Sequence, residues 1–319
     1  MVGTDKQAGM QKALSDYIRS ARQMQITRLP RDAKLTRQHL VPVGTTLLNL
    51  VRRHRQEADA FFAQNPPPSA SEHDFPMDVP DRPSSYPLGY CRQIRDRVWD
   101  GLSNEPFIRS LRRHGLMWKK IYFIHEGHWF QNAIQCGDWI LDTAHDTVNT
   151  ADDPVVCGPM DEFAWENLDD WHRFAEVAAD YYRVTVYPNL YFPLLFPLIP
   201  FLAIRETGRL ELLYCQQMLF FLDLGEHWRR CRAVLEDHEL MARQLPSEVE
   251  TRLLEMPGKE PEPFPVELRK CTAESLGQTL SEWDQIRGLP HRQLVDTLQN
   301  YGKLARLTAQ RLRKVDVAH

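Results

Sequence analysis

Apolar residues recur at helical spacing from the start of the chain. Across Gln7–Met24, Met10, Leu14, Ile18 and Ala21 fall three or four apart, the period that lines one side of a helix. A second helix is expected over Thr45–Gln64, where Leu47, Leu48, Val51, Ala58, Phe61 and Phe62 share a side. The pattern then breaks. Asn65–Pro87 holds seven prolines among Ser and Asp, and each proline fixes φ and removes an amide donor. That stretch reads as a linker or a long surface loop, and the first domain boundary is placed there.

The segment that follows has a different rhythm. Cys91–Leu102 predicts a helix with Ile94, Val98 and Leu102 in register. Lys120–Ile124 predicts a short strand, and Trp129–Gln135 and Trp139–Thr143 predict two more. The turn between these two is Cys136-Gly137-Asp138; a Gly–Asp pair between apolar runs signals a hairpin because Gly accepts positive φ. From Pro159 onward only helices are expected: Asp161–Tyr182, Leu210–Leu235, Pro246–Glu255, Ala273–Gly288 and Pro290–Leu312. The expected class is α+β, a small antiparallel sheet packed on a Cys-bearing helix and followed by a large α-helical C-terminal half. The expected divisions are N-terminal helices (1–64), the Pro-rich segment (65–87), an α+β core (88–158) and a helical region (159–319).

Val184–Ile204 carries no charged residue but holds Pro188, Pro193, Pro197 and Pro200. A helix spanning a membrane bonds its backbone internally over about 20 residues, which four prolines prevent. A buried, irregular segment between helices is expected, with membrane contact as the alternative.

Composition narrows the classes further. The chain has 319 residues, 43% hydrophobic and 26% charged, the balance of an ordinary globular protein. Its net charge of −4 gives no reason to expect a nucleic-acid partner. The clusters Arg52, Arg53, Arg55 and Arg229, Arg230, Arg232 sit among acidic residues and read as solvated helix faces. Six cysteines are scattered without a CxxC pair, and the polar N-terminus has no apolar signal core. Reduced thiols and a cytoplasmic location are therefore expected.

Three pieces of the middle segment can carry chemistry together: Gly89-Tyr90-Cys91 opening a helix, Gly127-His128-Trp129 starting a strand, and Gly137-Asp138-Trp139-Ile140-Leu141-Asp142 turning into the next. Their order and spacing over about residues 84–150 resemble the transglutaminase-like superfamily of cysteine hydrolases and acyltransferases. The stretch Cys136–Asp142 is similar to the turn and Asp-bearing strand of the bacterial transglutaminase-like cysteine proteinases. The sequence departs from the superfamily where Trp129 follows His128 directly, without the intervening residue common there. Tyr90-Cys91-Arg92-Gln93-Ile94 also lacks the acidic and small residues frequent around the superfamily's Cys. The resemblance implies a thiol hydrolase or acyltransferase acting on an amide of a protein or peptide, with Cys91 as nucleophile, His128 as acid and base, and Asp142 orienting His128. It implies no cofactor and no metal, and leaves open protease, amidase, deamidase or transglutaminase.

The residue types suit that chemistry. A helix N-terminus favours a thiolate, the nucleophilic form of Cys. A nearby imidazole stabilises the thiolate and protonates the leaving group, and a carboxylate fixes the imidazole's tautomer. Oxyanion donors would come from the Cys91 amide and a group upstream near Tyr86. Pairing arithmetic constrains the trio. A two-residue Gly137–Asp138 loop sets Ala133 opposite Asp142 and turns His128 and Asp142 to opposite faces. A three-residue loop sets both on one face, with His128 opposite Asp146, the reserve orienting acid.

Two further readings stay open. His125, His128 and His145 with Glu126, Asp142 and Asp146 could form a metal site. His125 and His128, three apart, would point to opposite faces of a strand, and no HxD or HExxH spacing occurs. Alternatively, Trp165, Trp171, Tyr181, Tyr182, Trp228 and Trp283 could form a partner surface on a non-catalytic protein.

Overall fold

Two antiparallel sheets organise the chain; the sequence pattern foresaw three of the five strands of the first and none of the second. The computed structural model describes residues 14–65, 86–215, 218–255, 270–289 and 291–312. Most of the Pro-rich segment and Pro290 therefore lie outside the described residues.

Helix α1 covers residues 14–23. The elements that build the site follow: α2 (Pro30–Leu35), α3 (Gly44–Gln64), α4 (Cys91–Ser103) and α5 (Pro106–Arg113), then β1 (Trp118–His125), β2 (Trp129–Cys136), β3 (Trp139–Asp142), β4 (Val156–Pro159) and β5 (Trp165–Asn167). The five strands lie in the order β4-β3-β2-β1-β5, all neighbours antiparallel. His125 pairs with Trp129, so Glu126, Gly127 and His128 form the first hairpin turn, with Glu126 at φ 50° and Gly127 at φ 77°. Cys136 pairs with Trp139, which leaves Gly137 and Asp138 as a two-residue loop. Gly137 sits at φ 58°, where a side chain is strained, and a Cβ there would run into Thr36 Oγ1. That hydroxyl accepts the Asp138 N–H at 2.8 Å.

Strand alternation sends successive side chains to opposite faces. Ile134, Cys136 and Leu141 pack with Ile94, Val98 and Leu102 of α4 and with Leu47, Val51 and Ala58 of α3. Ala133 and Ile140 join Ile121, Phe123, Met160 and Ile26 in a separate cluster. α3 thus belongs with the Cys-bearing helix, and the fold does not divide at the Pro-rich segment. Its described residues separate into two compact units, 23–65 with 86–168 and 14–22 with 169 onward.

The second unit corrects the expectation of helices alone after Pro159. It contains β6 (Val184–Pro188), β7 (Phe201–Arg205) and β8 (Leu210–Leu213) in the order β6-β7-β8. The prolines of 184–204 cluster at Pro188, the last residue of β6, and between β6 and β7, so the apolar run folds back on itself. Leu190, Tyr191, Phe192, Leu195, Phe196, Leu198 and Ile199 of the connection are buried. Leu210 opens a strand rather than a helix because Gly208, at φ 77°, closes a tight turn from Arg205 that pairs Leu210 with Ile204. The helices of this unit are α6 (Trp171–Tyr182), α7 (Met218–Gly225), α8 (Arg229–Glu236), α9 (His238–Met241), α10 (Ser247–Glu255), α11 (Ala273–Asp284) and α12 (His291–Leu312). Asp170 caps α6 by accepting the Arg173 N–H at 2.7 Å, which fixes its start ten residues later than expected. Trp171, Trp228 and Trp283 are fully buried core residues, so they do not form a partner surface. Among the described residues no helix is long and apolar enough to cross a membrane.

One arginine of each cluster departs from the solvated face expected of it, while Arg52, Arg53 and Arg229 are exposed. Arg55 is buried and donates to Asp59, to both oxygens of Asp146, and to the carbonyls of Thr143 and Pro154, all at 2.8–3.0 Å. Arg230 is buried as well, with its guanidinium on the Asp169 carbonyl and Glu226.

Candidate active site

Cys91 is the first residue of α4 and is half-buried. Gly89, two residues earlier, adopts φ 73° and donates its N–H to the Thr147 carbonyl at 3.0 Å, which fixes the approach to the helix. The sulfur receives a hydrogen bond from the Asn132 side chain, Nδ2 to Sγ at 3.3 Å. Arg95, one turn along α4, determines which way that amide points. Its NH1 donates to Asn132 Oδ1 at 2.7 Å, so the amide nitrogen is the group left to face the thiol. Arg95 also donates to the Ile121 carbonyl at 3.2 Å and pairs with Asp96. Burial lowers its pKa, against the opposing pull of Asp96.

Asp142, at the end of β3, is 1% exposed. It accepts Gln131 Nε2 on both oxygens at 2.9 and 2.8 Å and the Ala144 N–H at 3.0 Å. Its other partner is an imidazole, His145 Nδ1 at 3.1 Å from Oδ2. The bond to Asp142 raises the His145 pKa; burial opposes the rise. The His145 ring also meets the His125 ring edge to face, with centroids 5.6 Å apart. His125 is buried, and its Nδ1 has no hydrogen-bond partner among the described residues.

The expected trio is only partly assembled. Cys91 opens the helix and Asp142 holds an imidazole, as the arrangement requires, but the imidazole on Asp142 belongs to His145. His128 lies on the exposed turn between β1 and β2. At the strand rise per residue it stands about 13 Å along β2 from Asn132 and about 16 Å from Ala133, the position opposite Asp142. Asp146, the reserve acid, is engaged by Arg55. Asn132 and Gln131 are consecutive on β2, so their side chains point to opposite faces; one reaches Cys91 and the other reaches Asp142.

Compared with protein-family models, curated proteins and solved structures, the chain matches none.

The chemistry of the site therefore rests on its own geometry. Among the described residues no group of three or more His, Cys, Asp or Glu is arranged to hold a metal ion, and the histidine cluster offers none. All six cysteines are free thiols. Burial pushes Cys136 up to about 12 and raises Cys157, Cys215 and Cys231 as well, which leaves them poor nucleophiles. Sequence reading missed Asn132, Gln131 and Arg95, and named His145 only as a candidate metal ligand. Two signals existed: the pairing arithmetic sets Gln131 diagonal to Asp142, and Asp142-Thr143-Ala144-His145 spaces a carboxylate and an imidazole three apart.

Proposed function

We propose that the chain is a thiol-dependent hydrolase or acyltransferase acting on an amide of a protein or peptide in the reducing cytoplasm. Cys91 is the nucleophile, and His145, oriented by Asp142, takes the acid–base role expected of His128. The observation that carries this reading is the 3.1 Å Asp142–His145 bond beside the segment that leads into Cys91. Gly89, two residues before the thiol, is bonded to Thr147, two residues after His145.

The Cys91 sulfur attacks the amide carbonyl carbon, and the carbonyl oxygen becomes an oxyanion. The Cys91 N–H at the helix N-terminus and the Asn132 amide are the donors available to it. Imidazolium His145 gives its proton to the departing amine, and the C–N bond breaks. Water or a second amine, deprotonated by the same imidazole, releases the acyl group from sulfur. Asp142 keeps the proton on Nδ1, so the far ring nitrogen does the exchange.

The test is the pH dependence of Cys91 alkylation by iodoacetamide in the wild type and in His145→Asn. An imidazole coupled to the thiolate gives a reactive plateau at neutral pH that the variant loses. Identical profiles would sink the assignment of His145. The opposed contacts of Asn132 and Gln131 favour a second reading, a non-catalytic protein in which Cys91 is a packing residue. Under it, both profiles follow an ordinary thiol and Cys91→Ala leaves partner binding intact.

A further inference from the structure

The second unit holds a cavity of about 800 Å³ lined by α1, by the turn after α7 and by the end of α11. Its polar walls are Arg19, Arg22, His227, Asp284 and Arg287. Three guanidiniums and an imidazole face one carboxylate, in a chain whose overall charge is −4. The concavity is therefore positive against the sign of the whole molecule.

Asp284, the one carboxylate of the lining, lies within ion-pair reach of His227 and Arg287 and offsets part of this charge, leaving Arg19 and Arg22 in excess. Asp284 Oδ1 stands 3.7 Å from His227 Nδ1 and 3.9 Å from Arg287 NH1, and it makes no hydrogen bond among the described residues. Arg287 Nε is buried without a partner, and Arg287 NH1 is pressed against the His227 ring. Among the described residues Arg19 pairs with Asp16 on the exposed surface of α1, a contact weak enough to be exchanged.

The rim is also held in a costly backbone. His227 and Trp228 are consecutive non-glycine residues at φ 55° and 61°, the left-handed region. What holds them is the core below: Trp228 is fully buried and its N–H donates to the Asp223 carbonyl at 2.9 Å. The buried Asp223 side chain in turn accepts the N–H groups of Arg230 and Cys231 at 2.7 and 2.8 Å. At the base, Gly225 approaches Ile18 so closely that a Cβ would lie 3.1 Å from it. A rigid support thus holds His227 on the rim beside Arg287.

We propose that this cavity binds a phosphorylated small molecule, its phosphate held by Arg22, Arg287, His227 and Arg19. Guanidinium forks match phosphate oxygens two at a time, and the exposed Arg22 and the part-exposed Arg287 both line the cavity. The volume suits a ligand of nucleotide size. This site is independent of the thiol chemistry proposed for Cys91.

The test is calorimetric titration of the full-length protein with inorganic pyrophosphate at fixed ionic strength, beside citrate as a carboxylate of similar charge. Saturable binding of pyrophosphate is expected, weakened at least tenfold in Arg287→Met and in Arg22→Gln. Arg22 is exposed, so its variant keeps the reading testable if Arg287→Met fails to fold. Absence of saturable pyrophosphate binding, tighter binding of citrate, or binding unchanged in Arg22→Gln would each overturn the proposal.

Discussion

His145 Nδ1 lies 3.1 Å from Asp142 Oδ2, and the carboxylate it meets is almost wholly shut off from water. The pair couples folding to pH. His145 has a raised pKa in the folded protein, so it contributes stability that is fully present below the ordinary histidine value near 6.5. That contribution is lost as pH rises through the raised value. Urea midpoints of the wild type should therefore fall across that window, and those of His145→Asn should fall less. Equal slopes would show that His145 is not held by Asp142 in solution.

Cys91 should be the first thiol to be alkylated in the folded protein. It is half-buried, whereas burial raises the pKa of Cys136, Cys157, Cys215 and Cys231. Peptide mapping after brief iodoacetamide treatment at pH 8 should find Cys91 modified before the others. Asn132 donates to the sulfur at 3.3 Å. Asn132→Leu should slow the reaction about threefold, the worth of one modest hydrogen bond.

Arg55 is the strongest polar tie between α3 and the segment after β3. Its removal leaves the largely buried Asp146 without its counter-charge and takes a donor from the Thr143 and Pro154 carbonyls, of which Pro154 keeps the His145 N–H. Arg55→Met should cost about 3–5 kcal/mol in urea unfolding. Arg55→Lys should recover little, because one ammonium cannot reproduce the fork on Asp146. A loss below about 1 kcal/mol would mean that the network is replaced by solvent.

Gly137→Ala should destabilise by about 2 kcal/mol, from the positive φ and from the contact of the new Cβ with Thr36. The penalty should be smaller in a Thr36→Ala background, because the two residues then no longer collide. Additive costs in the double variant would place the strain in the backbone alone.

The first sheet was legible because its signals are periodic. α3 and α4 repeat their apolar positions every three to four residues, and the Gly137–Asp138 turn separates two apolar runs at the spacing a hairpin needs. The second sheet was not. Phe201, Leu202 and Ala203 are all buried, so β7 lacks the apolar–polar alternation that marks a half-exposed strand. The candidate site was half legible for a related reason. Cys91 sits at a helix start and Asp142 at a strand end, places that local pattern can fix. His145 follows a departure from the strand into a short 3₁₀ turn, whose path depends on Arg55 and the Pro154 carbonyl. Asn132 was overlooked because alternation gives the face of a strand residue but not its partner.

The length of a single turn decides which residues this sheet lets meet. With two residues between Cys136 and Trp139, the carboxylate of Asp142 is turned toward Gln131 and away from the side on which Asn132 touches the sulfur. One inserted residue would reverse the phase of β3 and carry that carboxylate across to the thiol. Asp142 can thus act on the thiol only through His145, which leaves the ribbon in the short turn after β3, and the loop length sets how carboxylate and sulfur are phased.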